Sequence, residues 1–333
     1  MIYEPCPNAF YRAYEPMKAM ERRGHEIVWQ SSDGKVDARR LATCDVVHVY
    51  RRASDDARGV MADLVRSGTP LVYDNDDDFT AVPKESPDYK RVGGLAGERI
   101  FVMTVKAARM ARCFTTTNDV LAEKYRNAGV QRTEVIGNFL APDALQPSSR
   151  HEGMVIGWVA GIDHQADAAR IDIAGALRRV IAKHRDVRVE CIGVNLKLTE
   201  RYRHEAFVPF HELPSRIAGY DMGIAPLADL PGNRARSDIK LKEYAAAGVP
   251  WLASPTGPYV GLGEGEGGRL VTDDGWFEAL DDLVSHRLTR WWLGRKAQAW
   301  ARRNTIDAVA DRWEALFLEV AGSRAVPASR PGG

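Results

Sequence analysis

Two series of short apolar runs, each run alternating with an amphipathic stretch, constrain what this 333-residue chain can fold into. Parallel strands need a crossover between them, and a helix is the crossover that satisfies its own backbone, so the alternation specifies α/β layers. In the first series "YEPMKAMERR" reads as a helix stopped at Gly24, followed by a strand at "EIVW". Further strands are expected at "DVVHVY", "PLVYD" and "CFTTT", with the long helix "GERIFVMTVKAARMAR" between the last two. "NDVLAEKYRNAGV" is the next helix and "TEVIGNF" the next strand. The prolines and serines of "APDALQPSSRHEG" then interrupt the rhythm as an interdomain linker would. A second series follows: strand "MVIGWVA", a helix near 166–184 with Ile171, Ala174, Leu177 and Ile181 on one face, and strand "VRVECIG". Strand "MGIAPL", helix "DIKLKEYAAA", strand "PWLAS" and a Trp-rich helical end complete it. Two doubly wound parallel sheets of this kind face one another across a cleft, where strand carboxyl ends present ligands.

Charge and cysteine usage narrow the function classes. The 46 basic and 45 acidic side chains leave a net charge of +1, so bulk attraction to nucleic acid is not expected. The four cysteines are widely separated and form no C-x-x-C pair, so neither a disulfide framework nor a zinc site is expected. No apolar run approaches the roughly 20 residues that span a bilayer, and the amino terminus lacks a signal-peptide layout. The expected setting is the reducing cytoplasm. The tail 321–333, small, polar and rich in Pro and Gly, is expected to be disordered.

The most informative stretch is "NRARSDIKLKEYAAAGVP". Ser237 suits the N-cap of its helix, and Gly248 with Pro250 suits the stop. A capping box would place Glu or Gln three residues after Ser237, and the residue there is Lys240. Arg234 and Arg236 crowd the same end, opposed locally only by Asp238. Cations at the positive end of a helix dipole cost about 0.3–1 kcal/mol each. A phosphate or diphosphate would reverse that sign, and Glu243 just beyond could accept hydrogen bonds from ribose hydroxyls. The competing reading is a solvated basic turn.

"SDIKLKEYAAAGVPWLASPTGPY" resembles the donor-binding segment of the large retaining GT-B glycosyltransferase group that includes glycogen synthase-like and mannosyl-transferring enzymes. Other landmarks follow in order: "RRGHEIVW", "ARCFTTTNDVLAEKYRNAGV", "EVIGNFLAPD", "MVIGWVAGIDHQAD" and "AFVPFHELPSRIAGYDMGIAPL" resemble successive parts of the group's pattern. The resemblance implies an acceptor domain over 1–142, completed by a returning helix at 306–320, and a nucleotide-sugar donor domain over 152–305. It implies that Glu243 holds the ribose, that Pro209 and Phe210 contact the base, and that Gly161 turns beneath the diphosphate. The group's other glutamate falls at Ala235, and the Arg and Lys that usually follow the Gly161 turn are replaced by "GIDHQAD", which offers His164. Arg234, Arg236, Ser237 and Lys240 are therefore expected to hold the diphosphate.

"LVYDNDDDF" places Asp74, Asp76, Asp77 and Asp78 at the end of a first-series strand. Continued as a strand, it would set Asp74, Asp76 and Asp78 on one face, where they repel unless a cation compensates. A D-x-D motif carries the metal in the other major glycosyltransferase fold. With a basic anion site already at 234–240, the acids are expected instead on the acceptor side, with Asp76, Asp77, Asp78 and His164 as catalytic candidates and no metal ligands. Tyr11, Arg12 and Asp74 are expected to contact acceptor or phosphate. The expected partners are a UDP- or GDP-sugar-like donor and a small-molecule, glycan or lipid-linked acceptor, with no required cofactor and no Mg²⁺ dependence. The basic, aromatic "RLTRWWLGRKAQAWARR" raises a membrane-surface role, but Trp291, Trp292, Trp300 and Trp313 read as packing for the last helices. The expected activity is transfer of a sugar from an NDP-sugar to a hydroxyl or amine, with an NDP-sugar epimerase or non-catalytic NDP-sugar binder as the alternative.

Overall fold

The first-series runs build one parallel sheet and the second-series runs build another. The computed structural model describes residues 1–3, 6–31, 36–145 and 151–322. The first sheet holds β1 (Ile2–Tyr3), β2 (Gln30–Ser31), β3 (Val47–Tyr50), β4 (Leu71–Asp74), β5 (Cys113–Thr116) and β6 (Thr133–Val135). Its order is β2-β1-β3-β4-β5-β6. The second holds β7 (Met154–Ala160), β8 (Val187–Gly193), β9 (Tyr202–Glu205), β10 (Met222–Ala225), β11 (Trp251–Ala253) and β12 (Gly268–Leu270), in the order β12-β11-β10-β7-β8-β9. Every named pairing in both sheets is parallel.

The chain divides into two compact units. The first contains residues 1–79 and 97–138 and the carboxyl-terminal segment from Val309; the second contains 80–96 and 139–308. The grouping of 80–96 with the second unit departs from a boundary drawn at 142. Part of the expected linker, 146–150, and most of the expected disordered tail, 323–333, lie outside the described residues.

In the first unit, β3, β4 and β5 are buried along their whole length. The expected strand at 26–29 begins four residues later, at Gln30, where the chain reaches β1. Before that point Ile27 and Trp29 pack on Met1, Ala13 and Met17. The helix Ala310–Gly322 lies on this unit, with Trp313 fully buried and its ring 5.6 Å from that of His48. Among the described residues neither nitrogen of the buried His48 ring has a hydrogen-bond partner. Burial, then Arg12 and the terminal amine, hold this imidazole well below its ordinary pKa and keep it neutral.

In the second unit the helix expected at 166–184 is two helices, Gln165–Ile171 and Ile173–Lys183. Asp172 separates them in a left-handed conformation (φ 50°) and caps the second through Gly175 N–H at 3.2 Å. Asp tolerates that conformation better than a branched residue would, because its short side chain bonds locally. Ile171, Leu177 and Ile181 nevertheless share the core with Trp158, Ile224 and Trp276.

The second sheet reverses direction between β7 and β10, since the connections from β7 and from β10 build outward on opposite sides. β7 and β10 pair only at Ile156–Met222 and Gly157–Gly223. Beyond that register the Tyr244 hydroxyl stands between the strands. It accepts from Val159 N–H at 3.0 Å and donates to Ile224 C=O at 2.9 Å. Glycine at 223 makes this geometry accessible: a Cβ there would lie 2.6 Å from the Tyr244 ring. Tyr244→Phe removes the hydroxyl that bridges the two strands at that level, at an expected cost of about 1–3 kcal/mol for buried groups left unpaired. The check is a lowered urea midpoint with far-ultraviolet circular dichroism unchanged before unfolding.

Candidate functional site

The turn after β7 begins at Gly161, and a Cβ there would meet Asp163 Oδ1 at 2.4 Å, so glycine lets the Asp163 side chain fold back over the turn. The end of β8 approaches just as closely. Gly193 has φ +86°, and a Cβ on it would lie 2.0 Å from the Ala160 carbonyl oxygen. A short 3-10 turn, Ile162–His164, then leads into the helix Gln165–Ile171. His164 Nδ1 lies 2.7 Å from Asp167 Oδ2. Asp167 is buried, and its other oxygen accepts from Ala228 N–H at 3.0 Å and from Asn233 Nδ2 at 2.6 Å. The loop after β7 is thereby fastened to the loop after β10, and the imidazole is oriented by a carboxylate that cannot itself turn away.

Arg236 continues the same connection. Its Nε donates to Asn233 Oδ1 at 3.0 Å and its guanidinium pairs with Asp163. Burial pushes the Asp163 carboxyl up, but Arg236 and His164 outweigh it and leave the group at about 2. Tyr259 packs beside this cluster, buried, on the turn Gly257–Tyr259 after β11. Burial raises its phenol above the ordinary range against the opposing charge of Arg236, so Tyr259 remains protonated.

The basic helix start is organised differently from the expectation. The helix runs Ile239–Ala246, and its N-cap is Asp238 rather than Ser237. The Asp238 carboxylate turns to Lys242 Nζ at 2.8 Å, and the buried Lys242 stacks 4.6 Å over the Phe139 ring. Nor is Asp238 the sole local counter-charge. Arg234 pairs with Asp229 through two contacts of 2.9 Å, Arg236 with Asp163, and Lys240 with Glu243 at 3.0 Å. The cations expected to be uncompensated at the dipole are each met by a carboxylate. Pro209 and Phe210 lie half-buried just after β9, at the carboxyl edge of the same sheet. Ala235 is buried.

The acids at 74–78 also resolve into separate pairs, because the strand ends at Asp74 and the residues beyond it do not continue one pleated face. Asp74 is fully buried, with Arg12 Nε at 3.0 Å, Arg12 Nη2 at 2.5 Å and Thr115 Oγ1 at 2.5 Å. Burial lifts its carboxyl above the ordinary range, against the pull of Arg12. Arg12 is equally buried and also donates to the Ile136 and Gly137 carbonyls. Arg12 and Asp74 are therefore an interior strut, and the expectation that they contact acceptor or phosphate is corrected by their burial. Tyr11 is buried as well, edge-on to Phe10 at 5.3 Å. Asp76 accepts from Tyr50 and Arg51, each at 2.9 Å, Asp77 pairs with Arg51, and Asp78 with Lys124 at 2.6 Å. Of these acids Asp77 has the most exposed side chain, at 39%. Among the described residues no group of three or more His, Cys, Asp or Glu side chains could hold a metal ion.

No protein-family model matches this sequence, and no curated protein matches it. The backbone is similar to that of HepE from Anabaena in complex with UDP and glucose, at 15% identity and a TM-score of 0.66, over 96% of this chain and 98% of that one. It is also similar to a mutant of TarM from S. aureus in complex with fondaparinux, alpha-GlcNAc-glycerol and UDP, at 12% identity and a TM-score of 0.58. That match covers 82% of this chain but only 55% of the TarM chain. A putative UDP-N-acetylglucosamine 2-epimerase from Listeria monocytogenes matches over 99% of both chains, at 13% identity and a TM-score of 0.56. The chain has the GT-B fold of glycosyltransferases.

In this GT-B chain the residues missed by sequence reasoning are the partners: Asp163, Asp167 and Asn233 in the second unit, Arg51 and Lys124 in the first. Arg51 carried one local signal, a basic residue directly after a buried strand, and its left-handed φ of 58° turns the side chain toward Asp76 and Asp77. Two predictions follow from the pairs. Arg12→Ala strands Asp74 in the core and should cost about 3–5 kcal/mol, part of it recovered in the Arg12→Ala/Asp74→Asn double variant, read by urea unfolding. Asp163, depressed from its ordinary 3.8 to about 2, contributes stability that is complete above the unfolded value. That contribution is lost as pH falls through the folded value. The stability advantage of the wild type over Asp163→Asn should therefore shrink between about pH 4 and pH 2 and stay constant above it.

Proposed function

We propose that this protein is a nucleotide-sugar-dependent glycosyltransferase of the retaining type, acting on a hydroxyl or amine acceptor. The observation that carries the reading is the contact of Arg236, on the β10 side of the strand-order reversal, with Asp163, on the β7 side. Open α/β sheets bind ligands at that reversal, beyond the strand carboxyl ends. Both side chains are about one-third exposed, so a diphosphate can exchange for the Asp163 carboxylate on the guanidinium. In this reading Pro209 and Phe210 contact the base and Glu243 the ribose. Arg234, Arg236, Ser237 and Lys240 with the first backbone N–H groups of the helix Ile239–Ala246 hold the diphosphate. Gly161 gives the backbone close access to it.

His164 closes the phosphate-side turn with its Nδ1 held by Asp167, and when its ring carries both protons it donates from Nε2 to the departing diphosphate or the transferred sugar. The acceptor oxygen or nitrogen forms its bond to the anomeric carbon as the bond to the diphosphate oxygen breaks, and that oxygen takes the acceptor's proton. Charge developing on the leaving group is met by side chains already in place, which is the most effective form of catalysis for such a step. No metal is needed for that role. On the acceptor side Asp77 is the candidate, being more exposed than Asp76 and Asp78. The likeness to a putative epimerase over 99% of both chains, with Ala235 where the resembled group carries glutamate, supports a second reading as an NDP-sugar epimerase.

Melting curves with UDP, GDP, TDP and ADP, each with and without Mg²⁺, test the shared donor site. One nucleotide should raise the Tm without metal, and Arg236→Ala should weaken it about tenfold or more, as expected for a charged hydrogen bond. If no nucleotide shifts the Tm, the donor-site assignment fails. Incubating the NDP-sugar alone separates the two activities, because an epimerase changes the sugar without an acceptor.

A further inference from the structure

We propose that the helix Arg287–Arg302 is a docking surface for an anionic lipid bilayer. Its packed side is the narrow one. Leu293, Gly294, Ala297, Trp300 and Ala301 are buried, and a Cβ on Gly294 would lie 2.4 Å from the Gly248 carbonyl oxygen. Small residues let the helix backbone approach the stop of the helix Ile239–Ala246 closely. Leu293 and Trp300 pack inward with them, yet three further bulky residues are turned outward, against the usual pattern for a surface helix. Leu288 is 81% exposed, Trp291 66% and Trp292 41%. The expectation that Trp291 and Trp292 are packing residues is thereby corrected, while Trp300 and Trp313 are buried.

At 3.6 residues per turn Leu288, Trp291 and Trp292 fall on one face, with Arg295, Arg302 and Arg303 continuing it toward the carboxyl end. Residues 287–303 contain six Lys or Arg and no Asp or Glu. Lys296 lies 3.6 Å over the Trp292 ring, which leaves its ammonium beside an exposed aromatic. The acid at the amino end, Asp282, is engaged by Arg269 at 2.7 Å and by His286 at 2.9 Å. Indole and leucine side chains with a row of arginines match the headgroup boundary of an anionic bilayer, where the rings insert and the cations meet phosphate. A second copy of this chain fits less well, because a two-fold contact would set these cations against themselves. Among the described residues no helix is long and apolar enough to cross a membrane, so the contact would be peripheral.

The test uses the full chain and vesicle sedimentation, and reads binding independently of any transfer activity. Vesicles of phosphatidylcholine and phosphatidylglycerol in equal parts should pull down the protein, and pure phosphatidylcholine should not. High salt should release it, because the Debye length falls to about 3 Å at 1 M. Trp291→Ser/Trp292→Ser and, separately, Arg295→Glu/Arg302→Glu should each reduce the partition constant about tenfold or more, with melting curves unchanged because the sites are exposed. Absence of wild-type binding to the anionic vesicles overturns the proposal, as does binding by either variant that is as strong as the wild type's. Wild-type dimerisation in sedimentation velocity that is abolished by Trp291→Ser/Trp292→Ser also overturns it, by showing that a second copy covers the face.

Discussion

The Tyr244 hydroxyl settles a conflict built into the second sheet. The strand-order reversal requires β7 and β10 to be neighbours, yet their outgoing connections leave toward opposite sides and the strands part after one short stretch of pairing. Parting buried strands would orphan backbone groups, and the phenol takes both, one as acceptor and one as donor. The cost falls on side chains elsewhere. Gly157 and Gly223 stay bare because a Cβ would enter the rings of Tyr220 and Tyr244. Tyr244 also belongs to the helix that carries Lys240 and Glu243, so the bond that holds the strands apart fixes the register of the candidate donor residues.

Strands buried on both faces were legible because they read as nearly continuous apolar runs. "MVIGWVA" became β7 residue for residue, and "VRVECIG", buried on one face and half-buried on the other, became β8 in the same way. The sheet edges were not. β1 and β2 are two residues each, β9 is the polar "YRHE" and β12 is "GRL", none long or apolar enough to stand out from loop. The candidate site was half legible for a related reason. Residue types near 234–243 signalled anion chemistry, and Arg234 and Lys240 are met by nearby acids, but Arg236 is compensated by Asp163, 73 positions away. Local counting of charges cannot see such a partner. The same limit applies to the acids, where Arg12 and Asp74 are separated by 62 positions. Trp291 and Trp292 were misjudged by residue type, although the Gly294, Ala297 and Ala301 spacing marked the opposite side of the helix as the one that packs.

Every charged group in question is paired, so pairing alone cannot say which of them meets a ligand; burial can. Arg12 and Asp74 have no exposed surface, and separating them would leave a charge in the core at a cost of several kcal/mol. No ordinary ligand contact offsets that, which makes the pair a fixed strut between the first helix and β4. Arg234 with Asp229 is mostly exposed, Arg236 with Asp163 about one-third exposed, and Lys240 is similarly open beside a nearly buried Glu243. Pairs of this kind are worth about 0–1 kcal/mol in water and can exchange partners freely. In the proposed donor site the Asp163 carboxylate holds the Arg236 guanidinium in the place where a diphosphate would take over the contact. Preorganisation of this sort lowers the entropy cost of binding without making the site too stable to open. The same reasoning sets Asp77 apart from Asp74 and Asp76 in the proposed acceptor role, since only a carboxylate with exposed surface can trade its arginine contact for another partner.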